Sequence, residues 1–182
     1  MGRGGRDGAG TDRAVETGHI FSGNALGALD GEGRVHLPPF ILREIARHEG
    51  CGRVLLGVHE SDPCLTGYGS ALRPRLEAEL ERRRLRDEAL GRAPDEHHAR
   101  ARRVFGLVEE ASYDETGRLT LPPLARRRGG LGDRILFVGA GSHFEIWDPS
   151  AAMAGGDSEL RYLAEYRLGS EGPALQAEEE RR

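Results

Sequence analysis

The stretch from Ala28 to Pro39, ALDGEGRVHLPP, returns from Ala111 to Pro123 as ASYDETGRLTLPP, and the fold follows from taking the two together. An Asp that opens a turn accepts a backbone N–H two residues on, and a Gly three residues after it supplies the left-handed conformation that lets a type I turn close a hairpin. Asp30 with Gly33 and Asp114 with Gly117 each spell such a corner. Past the corner, Arg34-Val35-His36-Leu37 and Arg118-Leu119-Thr120-Leu121 alternate polar and apolar with the period of a strand. That alternation turns Val35, Leu37, Leu119 and Leu121 inward and leaves Arg34 and Arg118 outward at the corner. Pro38-Pro39 and Pro122-Pro123 then end the strand and preset the first turn of a short helix, FILREIARH in one copy and LARRR in the other.

The register holds further out. Asp114 lies 84 residues beyond Asp30, and the same interval relates Phe21 to Phe105, Gly33 to Gly117, Arg34 to Arg118 and one Pro-Pro to the next. Downstream, RVLLGV (Arg53 to Val58) is echoed by RILFVG (Arg134 to Gly139), and a strand at Cys64 to Tyr68 by one at His143 to Trp147. The chain therefore reads as two copies of a β-β-α-β-β unit, mainly β with α, an α+β class. The copies occupy residues 19–69 and 105–148. Residues 70–104 form a helical connector, 149–168 a C-terminal helix, 1–18 a disordered leader and 169–182 a polar tail. In the connector, Leu72, Leu76, Leu80 and Leu85 fall near helical spacing, GRAP (Gly91 to Pro94) breaks the helix, and a second helix runs from Asp95 through Arg103. The Arg82-Arg83-Arg84 cluster alternates with acids and reads as a solvated face. These helices, with the last one carrying Met153, Leu160, Leu163 and Tyr166, read as surfaces for packing and subunit contacts.

Composition bounds the function. A chain of 182 residues, 37% hydrophobic and 31% charged, buries a real core. The net charge of −4 excludes a uniformly basic coat for nucleic acid, so any anion-binding surface is local. Cys51 and Cys64 lack zinc-site spacing and make no disulfide framework. No apolar run approaches a membrane span, and the expected location is the cytoplasm.

No reaction is spelled out. VGAGSH (Val138 to His143) lacks the third glycine of a dinucleotide loop and leads into a strand rather than a helix. His97 and His98 are adjacent, so on a helix they diverge, and no third ligand stands near them. His59 with Cys64 is no better supported, and Ser22, Ser61 and Ser142 lack a nucleophile elbow. The expectation is no enzyme, no cofactor and no metal.

FSGNALGALDGEGRVHLPP and DETGRLTLPPLARRRGGLGDRILFVGAGSHFEIWD resemble the MraZ family of bacterial transcriptional regulators, over about Phe21 to Trp147. The resemblance implies an AbrB-like swapped-hairpin β-barrel made by the two repeats of one chain, assembled with other subunits into a ring-shaped homo-oligomer. It implies a nucleoid-associated repressor of the division and cell-wall gene cluster that binds double-stranded DNA at tandem promoter repeats. On that reading Arg34 and Arg118 belong to the DNA-binding surface, with Arg126 and Arg43 on the following helices, and Asp30, Gly33, Asp114 and Gly117 form the turns that aim them. Two positions depart from the family pattern: Glu32 stands where many members have Lys, and Leu42 where an Arg is expected. The competing reading is a ring-forming protein-interaction scaffold, or an AbrB-type antitoxin, without strong DNA binding.

Overall fold

The computed structural model describes residues 19–48, 52–70 and 73–179. The leader 1–18, Cys51, Leu72 and the last three residues of the tail lie outside the described residues. The first half contains strands β1 (Asn24–Ala28) and β2 (Arg34–His36), helix α1 (Pro39–His48), and strands β3 (Arg53–Val58) and β4 (Leu65–Gly69). The second half repeats the order with β5 (Glu109–Ser112), β6 (Arg118–Thr120), α4 (Pro123–Arg128), β7 (Arg134–Gly139) and β8 (Phe144–Trp147). Between them lie α2 (Arg73–Ala89), α3 (Pro94–Ala101) and a π-helical turn (Arg102–Gly106); α5 (Pro149–Gly155) and α6 (Ser158–Glu179) follow.

The architecture is α+β with antiparallel strands throughout. Six strands form one sheet in the order β1-β7-β8-β4-β3-β5, and β2 with β6 forms a separate two-stranded ribbon. Among the described residues the six-stranded ladder does not close on itself; β1 and β5 are its edges. The pairing is interleaved: β1 of the first half lies against β7 of the second, and β5 of the second lies against β3 of the first. Register makes the halves equivalent in space. In the ribbon Arg34 faces Thr120 and Arg118 faces His36, so an 84-residue shift carries one pair onto the other about the central Val35–Leu119 pair. Across β4 and β8 the same symmetry centres on Thr66 opposite Glu145.

The alternation read from the sequence sets the core. Val35, Leu37, Leu119 and Leu121 are buried, together with Phe21, Phe137, Phe144 and the paired Ile41 and Ile45 one turn apart on α1. Phe21 meets Phe144 edge to face, with ring centroids 5.2 Å apart. A second cluster on the sheet comprises Cys64, Leu136, Trp147, Ala152 and Ala164, with α5 and α6 supplying its outer side chains. Burial pushes the Cys64 thiol well above its ordinary range, which keeps it protonated. The Asp148 carboxylate caps α5, accepting the N–H groups of Ser150 and Ala151 at 2.9 and 3.3 Å. Arg167 pins α6 to the edge strand by donating to the Asn24 side-chain oxygen at 2.6 Å and its carbonyl at 2.8 Å.

Four expectations change. Phe105 is not a second Phe21: it sits 47% exposed in the π-helical turn, whereas Phe21 is 1% exposed. The connector stripe is narrower than its leucine spacing suggests, because Leu80 is buried while Leu85 is 53% exposed. The second connector helix ends its α-helical course at Ala101. The C-terminal helix is two helices, broken after the Gly155-Gly156 pair, and the second continues to Glu179 through a polar tail whose composition reads as frayed helix or coil. On α2 the basic cluster is matched by acids: Arg82 with Glu79 at 2.8 Å, Arg83 with Glu60 at 2.8 Å, and Arg84 with Glu81 and Glu88. No helix among the described residues is long and apolar enough to cross a membrane.

Candidate nucleic-acid interface

Each hairpin corner closes as its sequence dictates. At the first, the Gly33 N–H donates to the Asp30 carbonyl at 2.9 Å, and Asp30 Oδ1 accepts the N–H groups of Glu32 and Arg34 at 3.0 and 2.9 Å. At the second, the Gly117 N–H donates to the Asp114 carbonyl at 2.9 Å, and Asp114 Oδ1 accepts from Thr116 N, Arg118 N and the Thr116 hydroxyl at 2.9, 3.0 and 2.6 Å. Gly33 and Gly117 take φ values of +79° and +80°, a region open to Gly and strained for other residues. The two turns are linked across the ribbon, because Leu37 N donates to the Gly117 carbonyl and Leu121 N to the Gly33 carbonyl, both at 2.9 Å.

This pairing brings Arg34 and Arg118 from the two halves to one place. Arg34 Nε donates to Asp30 Oδ2 at 2.9 Å, and Arg118 Nη2 reaches the same oxygen from the other half at 3.3 Å. Their side chains are 36% and 41% exposed, so neither guanidinium is withdrawn into the core. Hydrogen bonds from the backbone and side chain of Arg34 hold the Asp30 carboxyl below its ordinary value. Asp114 is also held down, chiefly by the Thr116 hydroxyl and then by the Arg118 backbone N–H. Asp114 therefore shapes its own turn, while Asp30 does that and also bridges both arginines.

The helix behind each turn belongs to the opposite half. The Arg126 guanidinium of α4 packs on the first turn, with Nη1 3.2 Å from where a Cβ on Gly33 would stand. Leu42 of α1 packs on the second, 2.6 Å from where a Cβ on Gly117 would stand. Arg126, Arg127 and Glu32 line one shallow groove beside the first turn, with Leu121, Pro123, Gly130 and Leu131. Arg43 lies exposed on α1 and makes no ion pair among the described residues.

Sequence reasoning did not anticipate three features here: Asp30 reaching Arg118, the pairing of Glu32 Oε2 with Arg34 Nη1 at 2.5 Å, and Arg127 beside the groove. The first depends on which strands pair, which no local pattern encodes. The second had a visible signal, an acid two residues before the motif arginine.

Elsewhere, a cavity of about 240 Å³ lies under the connector helices, lined by Val58, Thr66, Tyr68, Leu80, Arg103 and Val104 among others. No group of three or more His, Cys, Asp or Glu among the described residues could hold a metal ion.

Comparison with known proteins adds the family. No family model matches the chain. A transcriptional regulator MraZ from Gluconacetobacter diazotrophicus is 29% identical over 161 residues, spanning 87% of this chain and 93% of the relative. One from Pseudomonas savastanoi pv. phaseolicola is 30% identical over 141 residues, 78% of this chain and 88% of the relative. One from Burkholderia vietnamiensis is 31% identical over 135 residues, 74% and 87%. With 30% and 31% identity over 78% and 74% of its length to the second and third of these, the chain belongs to the transcriptional regulator MraZ family.

Proposed function

We propose that the chain is a sequence-specific DNA-binding transcriptional regulator that grips duplex DNA through its paired hairpin tips. The observation that carries this reading is the convergence of Arg34 and Arg118, one from each half, on a half-exposed ribbon where both share Asp30. A guanidinium in that position can fork onto guanine O6 and N7 or clamp a phosphate. Arg126 and Arg43 extend the basic surface on the helices behind. The finer picture follows the family: a swapped-hairpin β-barrel, supported by the exchange of β1 and β5 between halves, and a ring-shaped homo-oligomer. The ring acts as a cytoplasmic, nucleoid-associated repressor of the division and cell-wall gene cluster.

Assembly is what makes the reading quantitative. One bidentate base contact is worth about 1–3 kcal/mol, too little for specific binding by a protein of net charge −4. A ring presenting the same tips repeatedly to tandem promoter repeats adds such contacts through effective concentration. The exposed Tyr162 and Tyr166 of α6, stacked at 6.4 Å, and the exposed Leu85 and Leu90 offer apolar surface for self-association.

We expect Arg34→Ala and Arg118→Ala each to weaken binding to the gene's own upstream DNA, Arg118→Ala the more, by up to about 1–3 kcal/mol per engaged tip, with the fold retained in thermal melts. Titration at two salt concentrations measures both affinity and the salt dependence that phosphate contacts impose. If both variants bind as wild type does at matched salt, the tips are not the interface. A wild-type protein that forms rings but binds DNA at neither salt concentration is a protein-interaction scaffold instead.

A further inference from the structure

Although the two tips are related by symmetry in their backbone, they differ in charge. At the first tip, Arg34 is held twice by its own turn, through Nε to Asp30 at 2.9 Å and through Nη1 to Glu32 at 2.5 Å. The Glu32 side chain is 69% exposed at the apex of the turn, where it pairs with the arginine. It also borders the groove lined by Arg126 and Arg127, neither of which makes an ion pair among the described residues. One carboxylate thus stands among three guanidinium-bearing residues, in the place a phosphate oxygen would take.

The second tip has no counterpart. Thr116 occupies the corresponding position, and its hydroxyl is spent on Asp114 at 2.6 Å. The acid of that turn, Glu115, makes no ion pair among the described residues. Arg118's acidic neighbour among the described residues is Asp30, reaching across the ribbon at the longer distance of 3.3 Å. The Arg118 Nε is buried without a hydrogen-bond partner.

We propose that Glu32 is an internal stand-in for a DNA phosphate, so that the first tip engages DNA only when Arg34 leaves Glu32, and Arg118 at the second tip carries the larger share of the grip. This rests on the reading of the tips as the DNA-binding surface. Glu32 is a residue that sets affinity: a carboxylate at the apex both occupies Arg34 and repels the duplex, and its removal frees one cation to neutralise a phosphate.

The test is fluorescence anisotropy with a labelled duplex of the protein's own upstream region and a scrambled duplex of equal length, over a salt series. Wild type, Glu32→Gln, Thr116→Glu and Thr116→Gln are compared, each checked by thermal melting. Glu32→Gln is expected to tighten binding about three- to fivefold per engaged tip, the scale of one exposed ion pair. It is also expected to steepen the slope of log K against log salt by roughly 0.9 for each phosphate gained. Thr116→Glu should weaken binding by a similar factor and Thr116→Gln should not. A change in fold stability alone would leave the salt slope where it was. If wild type binds DNA with the usual salt dependence while Glu32→Gln binds no tighter and with the same slope, the role of Glu32 is refuted and the DNA reading stands. If neither wild type nor any variant binds either duplex, the DNA reading fails and the inference falls with it.

Discussion

At Asp30 one carboxylate closes its own turn through two backbone N–H groups, grips Arg34 and reaches Arg118 in the other half. Its folded pKa lies below the ordinary 3.8, mainly through the Arg34 backbone and side-chain hydrogen bonds. A depressed carboxylate pKa contributes stability that is present in full above the unfolded value and disappears as pH falls through the folded one. The tips should therefore hold down to about pH 4 and loosen below 3.8. Amide exchange at Gly33 and Gly117, followed from about pH 5 downward, measures it, and protection that is constant across that range contradicts it. The two turn glycines should also differ. Alanine at either φ near +80° costs about 1–2 kcal/mol of backbone strain. At Gly33 the new methyl meets the movable end of Arg126 at 3.2 Å, but at Gly117 it meets Leu42 at 2.6 Å. Gly117→Ala should be the more destabilising in urea melts, and a Leu42→Ala background should bring it level with Gly33→Ala.

Elements were legible where the physics is local. The Asp-x-x-Gly corners, the alternating strands after them and the Pro-started helices all depend on neighbours a few residues apart, and the strands Arg53–Val58 and Arg134–Gly139 stand where the apolar runs put them. The outward corner positions of Arg34 and Arg118, the turns closed by Asp30 with Gly33 and Asp114 with Gly117, and the burial of Val35, Leu37, Leu119 and Leu121 were legible for the same reason. Partner choice was not. That β1 lies on β7 and β5 on β3 is decided by tertiary packing, and with it the meeting of Arg118 with Asp30 and the seating of Arg126 on the opposite turn. Phe105 was misplaced because constant spacing persists in the sequence while the chain before β5 leaves a helix through a π-helical turn, which aims the side chain at solvent. Composition left the tail open between frayed helix and coil, since Gly and Pro inside it are poor helix formers, and α6 extends through it to Glu179.

On the scale of the whole molecule, interleaving joins the halves into one cooperative unit. Neither half can complete its sheet, because its edge strand is lent to the other. The lone tryptophan, Trp147, is 2% exposed between the sheet and the C-terminal helices, so its emission reports on that packing. Denaturant unfolding followed by Trp147 fluorescence and by far-ultraviolet circular dichroism should give coincident transitions, as for a two-state domain. Two separated midpoints would show that the halves melt independently. The exposed Gly91 turn, with φ +68°, joins α2 to α3 and holds no strand in place. A proteolytic nick there would cut the polypeptide without parting it: the two fragments would co-elute until denatured, like clasped hands whose sleeve has been slit, and could be reassembled from separately expressed pieces.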